Sequence, residues 1–243
     1  MDAFKARDAA LASAQTFSES HVVTVPTQRV TYDASPRIRS RPLGRTEIVF
    51  DQRDTIDVAM NLRNPLLLIL ADADRPGGCV HAGAGMQEES LFRRTALFAY
   101  LDPQLYPIGA EEALYARDVP VLMESENRGY KPLTPNRHMA FIACPGLKMP
   151  ATTPRDELGE ADAEALRRKI RLIVQTAVAN GHTELVAGAL GCGAYGCPIA
   201  HVARLFAEVL LEMDGLLVQV NFAIMGASFD VFERAFLKRW RAD

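Results

Sequence analysis

Leu66-Leu67-Leu68-Ile69-Leu70 leads, through Ala71 to Arg75, into Pro76-Gly77-Gly78-Cys79-Val80-His81-Ala82-Gly83-Ala84-Gly85 and then Met86-Gln87-Glu88-Glu89-Ser90. Five successive apolar residues, too few for a helix of ordinary length, read as a strand buried on both faces. The glycines at 77, 78, 83 and 85 strip side chains from the next stretch, so backbone N–H groups can approach a ligand closely. A helix is then expected over Gln87 to Tyr100, with Glu88 and Glu89 in its first turn. Neighbouring helical residues point about 100° apart, so one of the two carboxylates is expected to face a bound group. Acids in a first turn also complement the helix dipole, and on this segment alone both readings stay open.

The same order of strand, glycine loop and helix recurs late in the chain. Leu185 to Ala187 reads as a strand, Gly188 to Pro198 (GALGCGAYGCP) as the loop, and Pro198 to Met213 as the helix. Gly191, Gly193 and Gly196 make a backbone-lined turn feeding a helix N-terminus, an arrangement suited to pyrophosphate. The spacing is not that of a dinucleotide-binding fingerprint, and no phosphate-loop lysine is present. Tyr195 either contacts a sugar or base or packs as a half-buried ring. Further strands are expected at Glu47 to Phe50, Val119 to Met123, His138 to Cys144 and Val218 to Ile224. Helices are expected at Thr55 to Leu62, Glu160 to Asn180 and Val231 to Trp240. Strands interleaved with helices imply a three-layer α/β domain with a largely parallel central sheet, whose two glycine loops converge on one cleft.

Composition agrees with a globular chain. Of 243 residues, 49% are apolar and 23% charged, which excludes a disordered or low-complexity protein. Lys plus Arg (27) against Asp plus Glu (30) leaves a net charge of −3, so no global basic excess drives nonspecific nucleic-acid binding. Four cysteines in this length make no disulfide framework. The apolar run Pro65 to Ala71 is far too short to span a membrane. Asp2, Lys5, Arg7 and Asp8 leave no apolar signal-peptide core, and a soluble, cytoplasmic protein is expected. Residues 1–45 differ from the rest: Ala3 to Gln15 is helix-prone, and Ser35 to Arg45 carries Arg37, Arg39, Arg41 and Arg45 with Pro36 and Pro42. The arginine stretch reads as extended, either a solvated arm or a contact for an anionic partner. With too few clustered apolar residues for a core of its own, 1–45 is expected to pack as an accessory arm on a domain spanning 46–243.

The segment Pro76 to Ser90, with Gly77-Gly78 followed by Gln87-Glu88-Glu89, resembles the glycine-rich signature of poly(ADP-ribose) glycohydrolases. Ser90 to Arg94 and the loop Gly191-Cys192-Gly193-Ala194-Tyr195-Gly196 resemble the microbial-type branch, and the likeness runs from about Glu47 to Arg234. It implies a macrodomain-like three-layer α/β/α fold with a mixed central sheet and an N-terminal accessory segment. The implied reaction is hydrolysis of the terminal ribose–ribose O-glycosidic bond of poly(ADP-ribose), releasing ADP-ribose. By position Glu89 is the implied catalytic acid, Glu88 a ligand to ribose or leaving-group hydroxyls, and Gln87 a brace.

The resemblance implies the backbone of Gly77, Gly78 and Cys79 beside the distal ribose, Asp72 and Val80 among the ligand-binding residues, and Gly191, Cys192, Gly193, Ala194 and Gly196 cradling the diphosphate, with Tyr195 near the ribose. Cys79 stands where the family has a third glycine, and Asp72 where it has a ribose-contacting asparagine. Both Cys79 and Cys192 are expected at the cleft. No cofactor and no metal are implied; His81, His138, His182 and His201 show no ligand spacing. The implied partners are poly(ADP-ribose) or ADP-ribose and ADP-ribosylated proteins, with no membrane, and nucleic acid only as a modified target. The alternatives are an ADP-ribose-binding macrodomain with weak or no hydrolysis, or a hydrolase of mono-ADP-ribosylated targets; the intact Gln87-Glu88-Glu89 favours the enzyme.

Overall fold

The computed structural model describes residues 3–35 and 43–242. Seven strands form one sheet: β1 (Gln28–Thr31), β2 (Glu47–Asp51), β3 (Pro65–Leu70), β4 (Glu112–Met123), β5 (Pro132–Cys144), β6 (Glu184–Ala187) and β7 (Gln219–Ala223). The α-helices are α1 (Ala3–Ser20), α2 (Thr55–Ala59), α3 (Gln87–Arg94), α4 (Leu97–Tyr100), α5 (Glu160–Ala179), α6 (Ile199–Glu212) and α7 (Ser228–Trp240). The strand order is β1-β4-β5-β3-β6-β7-β2. β5, β3, β6, β7 and β2 are mutually parallel, while β1–β4 and β4–β5 are antiparallel. The sheet is therefore mixed, with its parallel part centred on β3 and β6.

The apolar run of β3 explains its place at the centre. Leu66 and Leu68 face a core formed with α5, α6 and α7, and Leu67 and Ile69 face one formed with α2, α3 and α4. All four are fully buried, as a strand with helices on both faces requires. The chain leaves β3 for β4 and comes back beside β3 through β5 on one side and, after α5, through β6 on the other. That branch point opens a crevice at the C-terminal strand ends, the usual ligand position in such sheets.

Three elements depart from the sequence expectation. The helix expected over Gln87 to Tyr100 is broken at Thr95, which is extended (φ −137°, ψ 171°) and bridges Val121, while Ala96 N–H donates to Pro120 O at 3.0 Å. β4 starts seven residues before the expected Val119. The polar pair Arg117-Asp118 marks a bulge against β5, with Asp118 at φ +63°, and hides the apolar continuity of the strand. β1 adds an edge strand from the N-terminal forty-five residues, pairing Gln28 with Tyr115 and Thr31 with Glu112. Arg37, Arg39 and Arg41 lie outside the described residues; Arg45 sits 5.8 Å above the ring of Trp240. Outside α3 and α4, α1 packs through Ala10 and Ala14 against Leu122, Met123 and Tyr130.

Candidate active site

Gln87 sets the entry to α3. Pairing of β3 with β6 ends at Leu67 and Val186, which leaves backbone groups beyond that point in need of partners. The Gln87 side chain supplies them: Oε1 accepts from Leu70 N at 2.9 Å, and Nε2 donates to Leu68 O at 2.7 Å and Thr55 Oγ1 at 3.2 Å. One amide continues the hydrogen bonding of a neighbouring strand and fixes the first turn of α3 to the end of β3. The brace expected at Gln87 is thus a specific one.

The two following carboxylates are both buried, at 4% and 6% exposure, and both border the cleft. Glu88 stitches the loop: Oε2 accepts from Asp72 N–H at 2.7 Å and Oε1 from Gly77 N–H at 3.1 Å. Glu89 Oε1 accepts from Cys79 N–H at 3.0 Å, while Glu89 Oε2 is buried with no hydrogen-bond partner. Burial pushes the Glu88 carboxyl up to about 8, opposed by its two N–H donors and reinforced by the charges of Glu89 and Asp72. Glu89 Oε2 is thus the one oxygen of the two acids without a hydrogen bond, although both side chains reach the same place. They do so because the loop wraps the N-terminus of α3. A Cβ on Gly78 would lie 2.8 Å from Glu89 Oε1 and 3.1 Å from Glu88 Oε2, and its φ of +52° also favours glycine.

The second loop meets the first across the cleft. Ala73 N–H donates to Tyr195 Oη at 2.8 Å, and Met149 N–H to Tyr195 O at 2.8 Å, so Tyr195 ties the two loops together. Lys148 Nζ pairs with Asp74 at 2.9 Å and sits 5.9 Å from the centre of the Tyr195 ring. The Asp74 charge is therefore offset by Lys148, a residue outside the sequence expectation. Gly191 approaches the loop after β5 so closely that a Cβ on Gly146 would lie 2.5 Å from Gly191 Cα. Among the residues lining the cleft there are three carboxylates, Asp72, Glu88 and Glu89, and neither Lys nor Arg.

Of the residues singled out in the sequence, Asp72, Gly78, Cys79, Gln87, Glu88, Glu89, Gly191, Gly193, Ala194 and Tyr195 line this cleft. Gly77 lies beneath it, giving its N–H to Glu88. Val80 is 1% exposed and packs in the core under the loop, because the turn at Cys79 directs its side chain inward. The Cys192 thiol points to Leu190 O at 3.7 Å and packs on the core, so it does not share the cleft with Cys79. Gly196 lies outside, near Met149 Sδ. Leu70, Ala71, Met86, Gly146 and Ala189 also line the cleft and escaped the sequence reading. Gly146, just past the apolar run ending at Cys144, was the one with a signal, a glycine at a strand end. Among the described residues no group of three or more His, Cys, Asp or Glu side chains is arranged to hold a metal ion.

The family model described as microbial-type PARG, catalytic domain, matches residues 6–122. The crystal structure of poly(ADP-ribose) glycohydrolase from Thermomonospora curvata is similar at a TM-score of 0.76 and 25% identity, covering 96% of this chain and 98% of that one. The same protein bound to the inhibitor ADP-HPD is similar at a TM-score of 0.73 and 25% identity, with the same coverage. The Deinococcus radiodurans enzyme in complex with ADP-ribose shares the fold at a TM-score of 0.74 and 23% identity, over 94% of this chain and 97% of that one. No curated protein matches the sequence.

Proposed function

We infer that this chain, a member of the microbial-type poly(ADP-ribose) glycohydrolase family, hydrolyses the terminal ribose–ribose O-glycosidic bond of poly(ADP-ribose) and releases ADP-ribose. The observation that carries the assignment of roles is the free Oε2 of Glu89, a buried carboxylate oxygen at the cleft with its partner oxygen held by Cys79 N–H. A buried polar atom without a partner is costly, and a carboxylate kept that way in a residue lining the cleft is the acid this reading assigns to the chemistry.

In this reading Glu89 protonates the departing ribose oxygen as the glycosidic bond breaks through an oxocarbenium-like transition state. The resulting carboxylate then takes a proton from the attacking water, so one residue serves as acid and then base. The substrate's own diphosphate, cradled by the Gly191 to Gly196 loop, helps stabilise the positive sugar. Glu88 spends both oxygens on backbone N–H groups and acts by shaping the loop around the distal ribose.

The division into an accessory arm over 1–45 and a catalytic domain over 46–243 belongs to the same proposal, supported by the packing of α1 on α3 and α4. So do ADP-ribosylated proteins as the carriers of the polymer. A cytoplasmic location belongs to the same proposal. Among the described residues no helix is long and apolar enough to cross a membrane. The test is product analysis with two substrates, polymer and singly ADP-ribosylated protein, for the wild type and Glu89→Gln. Release of ADP-ribose from polymer by the wild type alone supports the assignment. Equal release by both proteins, or release only from the singly modified substrate, overturns it.

A further inference from the structure

We propose that Arg7 of α1 and Arg93 of α3 are positioning residues for Glu89, and that α1 is thereby a clamp on the glycine loop. The inference rests on the reading of Glu89 given above and adds residues to that same site. Arg93 follows Glu89 by four positions, so the two side chains share one face of α3. It is 1% exposed, donates from Nη2 to Ala84 O, and keeps Nε and Nη1 buried without hydrogen-bond partners. A buried guanidinium needs a counter-charge nearby. The charged or titratable groups around Arg93 are Arg7, Glu126, Tyr130 and Glu89. Glu126 is already taken: Arg7 Nε donates to both its oxygens at 3.1 and 3.0 Å, and Tyr130 Oη donates to it at 3.3 Å. Glu89 lies one turn earlier on α3 with no hydrogen bond to Arg93, so the link from Arg93 to the site runs through the Ala84 carbonyl.

Arg7 reaches the same loop from the other side. Its Nη1 donates to Gly83 O at 3.2 Å, so two successive carbonyls, those of Gly83 and Ala84, are held from two different helices. The contact is close. A Cβ on Gly85 would lie 2.6 Å from Arg7 Nη2, and one on Gly83 would run into the ring of Phe4. Within the loop the grip passes to the site in two steps. Ala82 and Ala84 N–H donate to Cys79 O at 3.0 and 3.4 Å, and Cys79 N–H donates to Glu89 Oε1. Slack at residues 83 and 84 therefore moves the donor that orients the Glu89 carboxyl.

The experiment compares the full-length wild type with Arg7→Ala, Arg7→Lys and Arg93→Met. Three quantities are measured: single-turnover hydrolysis of poly(ADP-ribose), calorimetric affinity for ADP-ribose, and amide hydrogen exchange of peptides covering residues 77–85. Small misplacements of a reacting group cost up to about 100-fold, so a loss of roughly 10- to 100-fold in rate is expected for Arg7→Ala and Arg93→Met. ADP-ribose affinity is expected to stay unchanged, because the Gly191 to Gly196 loop is untouched, and exchange at 77–85 is expected to quicken. Arg7→Lys, which keeps a donor for Gly83 O and a charge for Glu126, is expected to recover most of the rate. Unchanged exchange in Arg7→Ala, or affinity and rate falling together with no recovery in Arg7→Lys, overturns the proposal. If the wild type releases no ADP-ribose, the glycohydrolase reading fails on its own, while the exchange of residues 77–85 still decides the clamp.

Discussion

Glu89 Oε1 accepts the Cys79 N–H at 3.0 Å, and this one bond separates the two oxygens of the carboxylate into a held and a free one. Cys79 can take this part although it is not glycine: at φ −101° and ψ 29° its backbone lies where an ordinary residue is comfortable. Glu89→Gln keeps a carbonyl oxygen for Cys79 and loses the exchangeable proton. Its single-turnover rate of ADP-ribose release is expected to fall about 10²–10⁴-fold, the usual cost of losing positioned acid–base catalysis. Calorimetry is expected to show ADP-ribose affinity nearly unchanged. A variant cleaving at the wild-type rate would remove Glu89 from the mechanism.

Gly78 and Cys79 are expected to respond in opposite ways to a change of side chain. Gly78→Ala puts a methyl 2.8 Å from Glu89 Oε1 at a φ of +52°, so polymer cleavage should drop toward the level of Glu89→Gln. Cys79→Gly needs no change of conformation. It should keep cleavage near wild type and lower stability by about 0.5–1 kcal/mol through the added freedom of the unfolded chain. Rates from single-turnover assays and free energies from urea titration check the pair together.

Glu88 makes stability depend on pH in a definite direction. Its carboxyl is pushed from the ordinary 4.5 to about 8 by burial, so the folded protein holds a proton that the unfolded chain gives up. That contribution is complete below pH 4.5 and is lost as pH rises through about 8. Glu88→Gln cannot titrate there. The unfolding free energy of the wild type minus that of Glu88→Gln is therefore expected to decrease steadily from pH 4.5 to 8. Denaturant titrations at several pH values measure it; a flat or rising difference would refute the assignment.

Arg94 holds α2, α3 and β4 together. It is 1% exposed, pairs with Asp54 and with Asp57 at 2.7 Å, and donates from Nε to Met123 O at 3.2 Å. Asp54 is also the N-cap of α2, accepting from Ile56 N–H at 2.9 Å. Arg94→Ala takes the cation from two part-exposed carboxylates, of which Asp54 keeps its Ile56 N–H, removes the Nε donor to Met123 O, and is expected to cost about 3 kcal/mol. Urea denaturation followed by circular dichroism gives the number, and a loss below about 1 kcal/mol would show that the pairs are dispensable.

Local chemistry made much of this legible along the chain. The run Leu66 to Leu70 could only be a strand covered on both faces, and Gly181 after Asn180 placed the end of α5. Glycines ahead of Gln87 and in the 191–196 stretch marked the loops, since nothing else lets backbone come so close to a ligand. Those signals are short-range, a matter of side-chain volume and backbone freedom within ten residues. The break of the expected helix at Thr95 was not among them, because the hydrogen bond that ends it comes from Pro120 in β4. Nor was the inward turn of Val80 and Cys192, which depends on how each loop packs on the core. Which of two adjacent glutamates keeps an open oxygen depended on where Asp72, Gly77 and Cys79 point their N–H groups. Pairings such as Arg7 with Gly83, 76 residues apart, arise only when α1 folds back onto the loop. Such contacts are set by the packing of whole elements, and no pattern of neighbouring residues encodes them.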